Sequence, residues 1–225
     1  MPASPRSAAR SLARRALRRP PVIHRAPGAP PRVALTFDDG PSEWTGAIAD
    51  ALEAHGCRGT FFVLGPAVER HPELLARLAG AGHEVGNHLW SHADPLAQAP
   101  AEIRAELDRT AAAVAAAVGA RPRLVRPPYC GAPAKVARAA SRGGADLVVI
   151  RSVDPEDWRA DSAEEIVDRV LATVGAGDIV CLHDGIAPGN RGTPSRAPTA
   201  EAVARLVPAL LERGLRPVTV SELLA

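Results

Sequence analysis

From Arg32 onward, short apolar runs alternate with segments whose apolar residues recur every three or four positions. Arg32-Val-Ala-Leu-Thr-Phe37 reads as a strand running into Asp38-Asp39-Gly40-Pro41, a turn signal. A helix to about His55 follows, closed by Gly56, which can take the left-handed conformation that ends helices. Thr60–Leu64 is the next strand, Glu73–Ala79 a helix closed by Gly80, and His83–Gly86 a short third strand. The most regular helix is Pro100–Val118. Ile103, Leu107, Val114 and Val118 share one face, while Glu102–Glu106 and Arg104–Asp108 give spaced charges on the other. Leu124-Val125, Leu147–Ile150, Ile179–Leu182 and Pro217–Val220 are later strands. Ser162 with Glu165 opens another helix in a capping-box pattern, and Thr199–Glu212 forms the last, ended by Gly214. Strands separated by helices predict an α/β fold with a parallel sheet, open or closed into a barrel. Pro188–Pro198 is a polar Gly/Pro-rich loop, expected as a mobile rim.

Charge changes the picture at the N-terminus. Residues 1–32 hold eight arginines and no acid, which leaves 19 basic against 25 acidic residues in the remainder. The expected division is therefore a disordered basic Arg/Pro tail, 1–31, and one catalytic domain, 32–225. No aromatic residue interleaves the arginines, so nucleic acid is not an expected partner. The tail lacks the apolar run of a secretory signal, and no stretch approaches a membrane span. Three widely spaced cysteines, Cys57, Cys130 and Cys181, outline no disulfide framework. These features together lead to an expected cytoplasmic location.

Five polar clusters sit at or just past predicted strand C-termini, where parallel α/β folds build active sites. They are Asp38-Asp39, His88-x-x-x-His92, Arg126-Pro-Pro-Tyr129, Asp154-Pro-Glu-Asp157-Trp158 and His183-Asp184. A catalytic divalent site needs about three protein ligands and one open position. Two histidines four apart share a face if their segment makes a helical turn, and a carboxylate from a separate turn completes the set. Cys130 and Cys181 lie beside these clusters and read as small buried packing residues.

In order and spacing the five clusters resemble the motifs of the polysaccharide deacetylase family, the NodB-homology or family 4 carbohydrate esterases, from about residue 31 to the C-terminus. The resemblance implies a distorted (β/α) barrel of about seven strands that hydrolyses acetyl groups on amino sugars or glycans. It implies that Asp39, His88 and His92 hold one divalent metal ion; zinc suits two nitrogens and one oxygen, and cobalt or nickel fits the same set. It makes Asp38 the base, His183 the acid that protonates the leaving amine, and the Tyr129 backbone N–H a donor to the oxyanion. Arg126 would orient Asp38, Asp157 would raise the pKa of His183, and Trp158 with Cys181 would line the acyl pocket.

Departures from the family pattern narrow this reading. Leu89 stands where relatives carry Ser or Thr, which questions the rigidity of the His88–His92 loop. Cys130 replaces a Gly after Tyr129, and Cys181 replaces Leu in the acyl pocket. Only seven aromatics occur, nearly all in motifs or strands, so none is left to build a long stacking cleft. A short or small acylated amino sugar is therefore expected as substrate. The alternatives are an amide hydrolase or deformylase acting on a non-polymeric metabolite, and a catalytically idle carbohydrate-binding protein.

Overall fold

The structure is a computed structural model and describes residues 19–141 and 143–225. Eight parallel strands form one sheet: β1 (Val22–Ile23), β2 (Arg32–Asp38), β3 (Thr60–Val63), β4 (Glu84–Asn87), β5 (Leu124–Val125), β6 (Leu147–Val149), β7 (Ile179–His183) and β8 (Arg216–Val218). Their order is β1-β6-β5-β4-β3-β2-β7, and β8 pairs with the start of β2. The loop after β6 brings the two ends of the sheet together, with a parallel bridge between Val153 and Val180 and bonds from Ser152 N–H to Ile179 O and Cys181 N–H to Val153 O. This is a distorted, incompletely closed barrel, as the motif pattern implies.

Helices α1 (Thr45–Glu53), α2 (Gly65–Arg70), α3 (Pro72–Gly80), α4 (Pro100–Val118), α5 (Pro133–Ala140), α6 (Ala163–Leu171), α7 (Ala197–Glu212) and α8 (Val220–Leu223) accompany the strands. Period-two alternation divides each strand between two surroundings. Val33, Leu35 and Phe37 of β2 join Phe61, Val180 and Leu182 in the larger core beneath α1 and α7. Ala34 of the same strand faces inward with Phe62, Leu124, Val149 and Ile179.

Helices α2 and α5, which are not among the elements expected from the sequence, each carry a proline in the first turn, where its missing N–H costs nothing. Three sequence expectations need correction. Gly80 is the last helical residue of α3, and Gly82 (φ +84°) makes the left-handed turn. The last strand ends at Val218. Thr219 then caps α8, its Oγ1 accepting from Glu222 N–H at 3.2 Å while Glu222 Oε2 takes Thr219 N–H at 3.0 Å, a capping box visible in Thr-x-x-Glu. Finally, the basic tail does not extend to residue 31. Val22 and Ile23 pair with Val148 and Val149, Arg25 bridges Asp178 at 3.1 Å, and Ala26 is buried. Residues 1–18 of that predicted tail lie outside the described residues. Among the described residues no helix is long and apolar enough to cross a membrane.

Candidate active site

Register places the chemistry. Asp38, the last residue of β2, is the partner of Phe62 on β3 and of His183, the last residue of β7. On the far side Val63 pairs with Asn87, and Asn87 with Val125, so His88 and Arg126 follow directly at the same level. The inward file of β2 runs Ala34, Thr36, Asp38, and its register partners on β7 run Ile179, Cys181, His183. Apolar pairs at the bottom thus become polar pairs at the top, where a cavity of about 440 Å³ opens.

Arg126 is fully buried. Its Nη1 donates to Asp38 Oδ1 at 2.8 Å and to Thr36 Oγ1 at 2.7 Å, and its guanidinium lies over the Phe62 ring at 4.3 Å. Burial pushes the Asp38 carboxyl up, but the charges of Arg126, His88 and His183 outweigh it and hold Asp38 below its ordinary value. Asp38 is therefore a charged acceptor at neutral pH. Cys181, placed by the sequence in the acyl pocket, lines the cavity and also touches this acid, its thiol donating to Asp38 Oδ2 at 3.5 Å.

Asp39 lies one residue beyond the strand in a left-handed turn (φ 76°), and His88 Nε2 stands 3.5 Å from its Oδ1 and 3.8 Å from Asp38 Oδ2. Two glycines permit the close packing around this turn: a Cβ on Gly40 would meet Asp184 Oδ2 at 2.1 Å, and one on Gly185 would meet Asp39 O at 2.3 Å. Asp184 ties the turn down, accepting from Gly40 N–H at 3.2 Å and Thr45 Oγ1 at 2.5 Å.

The His88–His92 segment makes no helical turn. It is an irregular loop in which Leu89 (φ 67°) and His92 (φ 60°) are left-handed, and these bends, rather than helical spacing, converge the two rings. Leu89 does not loosen the loop. It is fully buried among Ile103, Leu107, Val125 and Val136. Glu106 of α4 takes the N–H groups of Trp90 and Ser91, each at 3.2 Å, and Asn87 bridges Leu107 O and Leu89 N–H. Glu106 thus supports this site and is more than one of the spaced charges expected on the polar face of the helix.

Asp39 Oδ1 stands 3.5 Å from both His88 Nε2 and His92 Nε2. A tetrahedral ion with ordinary zinc–oxygen and zinc–nitrogen bonds sets its ligands about 3.4 Å apart. Asp39 Oδ1 is also buried without a hydrogen-bond partner among the described residues, a costly state that a cation would relieve. His88 Nδ1–H donates to Arg126 O at 2.8 Å, leaving Nε2 for the ion, and burial lowers the His92 pKa to about 4, which keeps that ring neutral. The three residues therefore fit one divalent ion.

Opposite them, Asp157 Oδ1 meets His183 Nδ1 at 2.7 Å, while its Oδ2 accepts from His183 N–H and from Thr199 Oγ1, both at 2.8 Å. Burial alone would lower the His183 pKa, but the charge and hydrogen bond of Asp157, with Asp39 and Asp38 nearby, raise it to about 9. Trp158 and Tyr129 line the cavity, and Tyr129 packs its ring edge on His92 with centroids 4.7 Å apart. Thr36, Glu106, Thr199, Arg151 and Arg196 were not singled out in the sequence. Arg196, fully buried, bonds Gly185 O at 3.0 Å and Thr193 O at 3.1 Å, holding the 184–196 loop over the cavity.

Comparison with known proteins agrees with this geometry. Residues 25–148 match the polysaccharide deacetylase family model. A chitooligosaccharide deacetylase of Bradyrhizobium sp. (strain ANU 289) is 40% identical over 188 residues, covering 81% of this chain and 85% of that protein. The chain belongs to the polysaccharide deacetylase family. Members are hydrolases of carbon–nitrogen bonds other than peptide bonds. Among solved polysaccharide deacetylase structures, a peptidoglycan N-acetylglucosamine deacetylase in complex with 4-naphthalen-1-yl-N-oxidanyl-benzamide superposes with TM-score 0.81 and 30% identity over 94% of both chains. A pseudoenzyme of the family from Bacillus anthracis also superposes with TM-score 0.81, at 26% identity, over 93% of this chain and 70% of the other.

Proposed function

We propose that this chain removes the acetyl group from an N-acetylated amino sugar of short length, with one divalent ion, zinc, held by Asp39, His88 and His92. One observation carries the reading. A charged carboxylate, Asp38, and a protonated histidine, His183, end neighbouring strands in register beside a buried Asp39 Oδ1 that has no hydrogen-bond partner among the described residues and that two imidazole nitrogens face.

Each side chain then has one task. The ion's contribution when bound is Lewis acidity, which polarises the acyl carbonyl and acidifies a water. Asp38, kept ionised and oriented by Arg126, accepts the proton of the attacking water. By the family resemblance, the backbone N–H of Tyr129 would donate to the oxyanion that develops. His183, protonated through neutrality because Asp157 holds Nδ1–H, presents Nε2 to the departing amine and gives it a proton. Trp158 and Cys181 bound the space for the acyl methyl group.

The short-substrate reading rests on the distribution of rings. Phe37, Phe61 and Phe62 are buried, and Arg109 covers Trp90 at 3.5 Å. Only Tyr129, 64% exposed, and Trp158 offer an aromatic face to the cavity. The relative named as a chitooligosaccharide deacetylase is consistent with this. The test is metal analysis of the purified chain together with acetate release from N-acetylglucosamine derivatives, chitooligosaccharides and polymeric chitin or peptidoglycan. Similar rates on a disaccharide and on longer oligomers are expected; a steep rise with chain length refutes the size claim, and metal binding without acetate release from any of them refutes the activity. The likeness to a pseudoenzyme makes that second outcome worth measuring.

A further inference from the structure

Cys181 gives this cavity a sulfur donor beside the proposed base and acid, and with them a second set of possible metal ligands. Asp38, Cys181 and His183 bring a carboxylate oxygen, a sulfur and a ring nitrogen within 4.8 Å of one another. All three lie on the inward files of β2 and β7, at consecutive levels of one register, and all three line the open cavity. We propose that this trio is a second, inhibitory metal site, selective for thiophilic divalent ions such as cadmium or excess zinc.

The geometry suits such an ion. Cys181 Sγ and Asp38 Oδ2 are 3.5 Å apart, close to the roughly 3.6 Å separation of a sulfur and an oxygen bound to the same tetrahedral zinc. His183 offers Nε2, because Nδ1 is held by Asp157, and a carboxylate behind a ligating histidine is the usual support of a metal-bound imidazole. On binding, the Cys181 S–H bond gives way to a sulfur–metal bond and the His183 Nε2–H bond to a nitrogen–metal bond, so two protons leave to solvent. Arg126 opposes a cation here, its Nη1 lying 2.8 Å from Asp38 Oδ1 and 3.8 Å from Cys181 Sγ. A soft ion offsets that repulsion through its bond to the thiolate, whereas a hard ion such as magnesium does not. The Asp39–His88–His92 set has no sulfur, so the two sites differ in both preference and spectrum.

Inhibition rests on the deacetylase reading, because the ion would occupy Asp38 and His183, the proposed base and acid. The existence of the site does not. Cadmium is titrated into the full chain already holding one equivalent of zinc, with thiolate-to-cadmium charge-transfer absorption, bound-metal stoichiometry and acetate release followed together. The absorption should grow to one thiolate per chain while total bound metal rises from one ion to two and acetate release falls along the same curve. Cys181→Ser should lose the absorption and the second ion, whereas Cys57→Ser, Cys130→Ser and His92→Ala should keep the absorption. Cadmium NMR of the unaltered chain, reading one sulfur ligand, serves if Cys181→Ser does not fold. No absorption in the wild type, its survival in Cys181→Ser, or its loss in His92→Ala overturns the site. Cadmium bound through sulfur with acetate release undiminished overturns the inhibition. A zinc-loaded chain that releases no acetate before cadmium is added refutes the deacetylase reading and leaves the spectroscopic test intact.

Discussion

Asp38 and Asp39 are neighbours that share His88 but differ in their other partner, Arg126 for Asp38 and His92 for Asp39, and that contrast governs what substitution should do to each. Asp38→Asn keeps the hydrogen-bonding shape beside Arg126 but removes the acceptor for a proton, so kcat should fall by about 10²–10⁴-fold with metal content unchanged, as steady-state rates and metal analysis would show. His88→Ala should instead lose both metal and activity; retention of bound metal would remove His88 from the ligand set. The acid has its own signature. The His183 pKa is raised to about 9, so its proton is present through neutrality and is lost as pH rises past that value. Asp157→Asn removes the main opposing charge, leaving burial to lower the pKa, so the alkaline limb of kcat/KM should move to lower pH while the acidic limb stays in place. An unmoved alkaline limb would assign it to another group.

At the scale of elements, α4 does more than cover the sheet. Its apolar face packs Ile103 and Leu107 against Leu89, and from its polar face Glu106 fastens the loop that carries both histidines. Glu106→Ala would leave the Trp90 and Ser91 N–H groups without that acceptor. The expected cost is about 1–2 kcal/mol in denaturant unfolding and a roughly tenfold weaker affinity for the metal, read by competition with a chelator. Helices were legible here wherever apolar spacing was strong, as in α4 and α7. The short helices α2 and α5, of six and eight residues, were missed, because each has too few turns for a repeating apolar face and the proline in its first turn also punctuates loops. The role of Glu106 was invisible for a different reason: along the sequence it is only one more exposed-face acid on a helix, and its partners lie 15 and 16 residues earlier.

At the scale of the whole molecule, the parallel sheet gathers residues from across the chain onto one rim. The Gly40–Asp184 bond spans 144 residues and the Arg126–Asp38 bond 88. The sheet also needs its N-terminal strand, since β1 covers the outer edge of β6 and brings Ile23 and Ala26 to the inner core. A chain beginning at Arg32 should therefore unfold at lower denaturant than one beginning at Arg19, by about 2–3 kcal/mol from lost apolar burial. Equal midpoints would mean that β1 adds nothing to the barrel.

The alternating strand and helix patterns, the turn chemistry of Asp39-Gly40-Pro41 and the motif residues themselves were determined by the sequence alone, because side-chain periodicity and backbone preference are local properties. Those same patterns place Thr36 and Asp38 on one strand face and Cys181 and His183 on another. That the two faces meet is a matter of register between strands far apart in the chain, and register is set by packing of the whole barrel. Only the tertiary structure therefore decided that Asp38 turns toward Arg126 while Asp39 turns toward the histidines, that Thr199 completes the hold on Asp157, and that the Cys181 thiol lies against the proposed base.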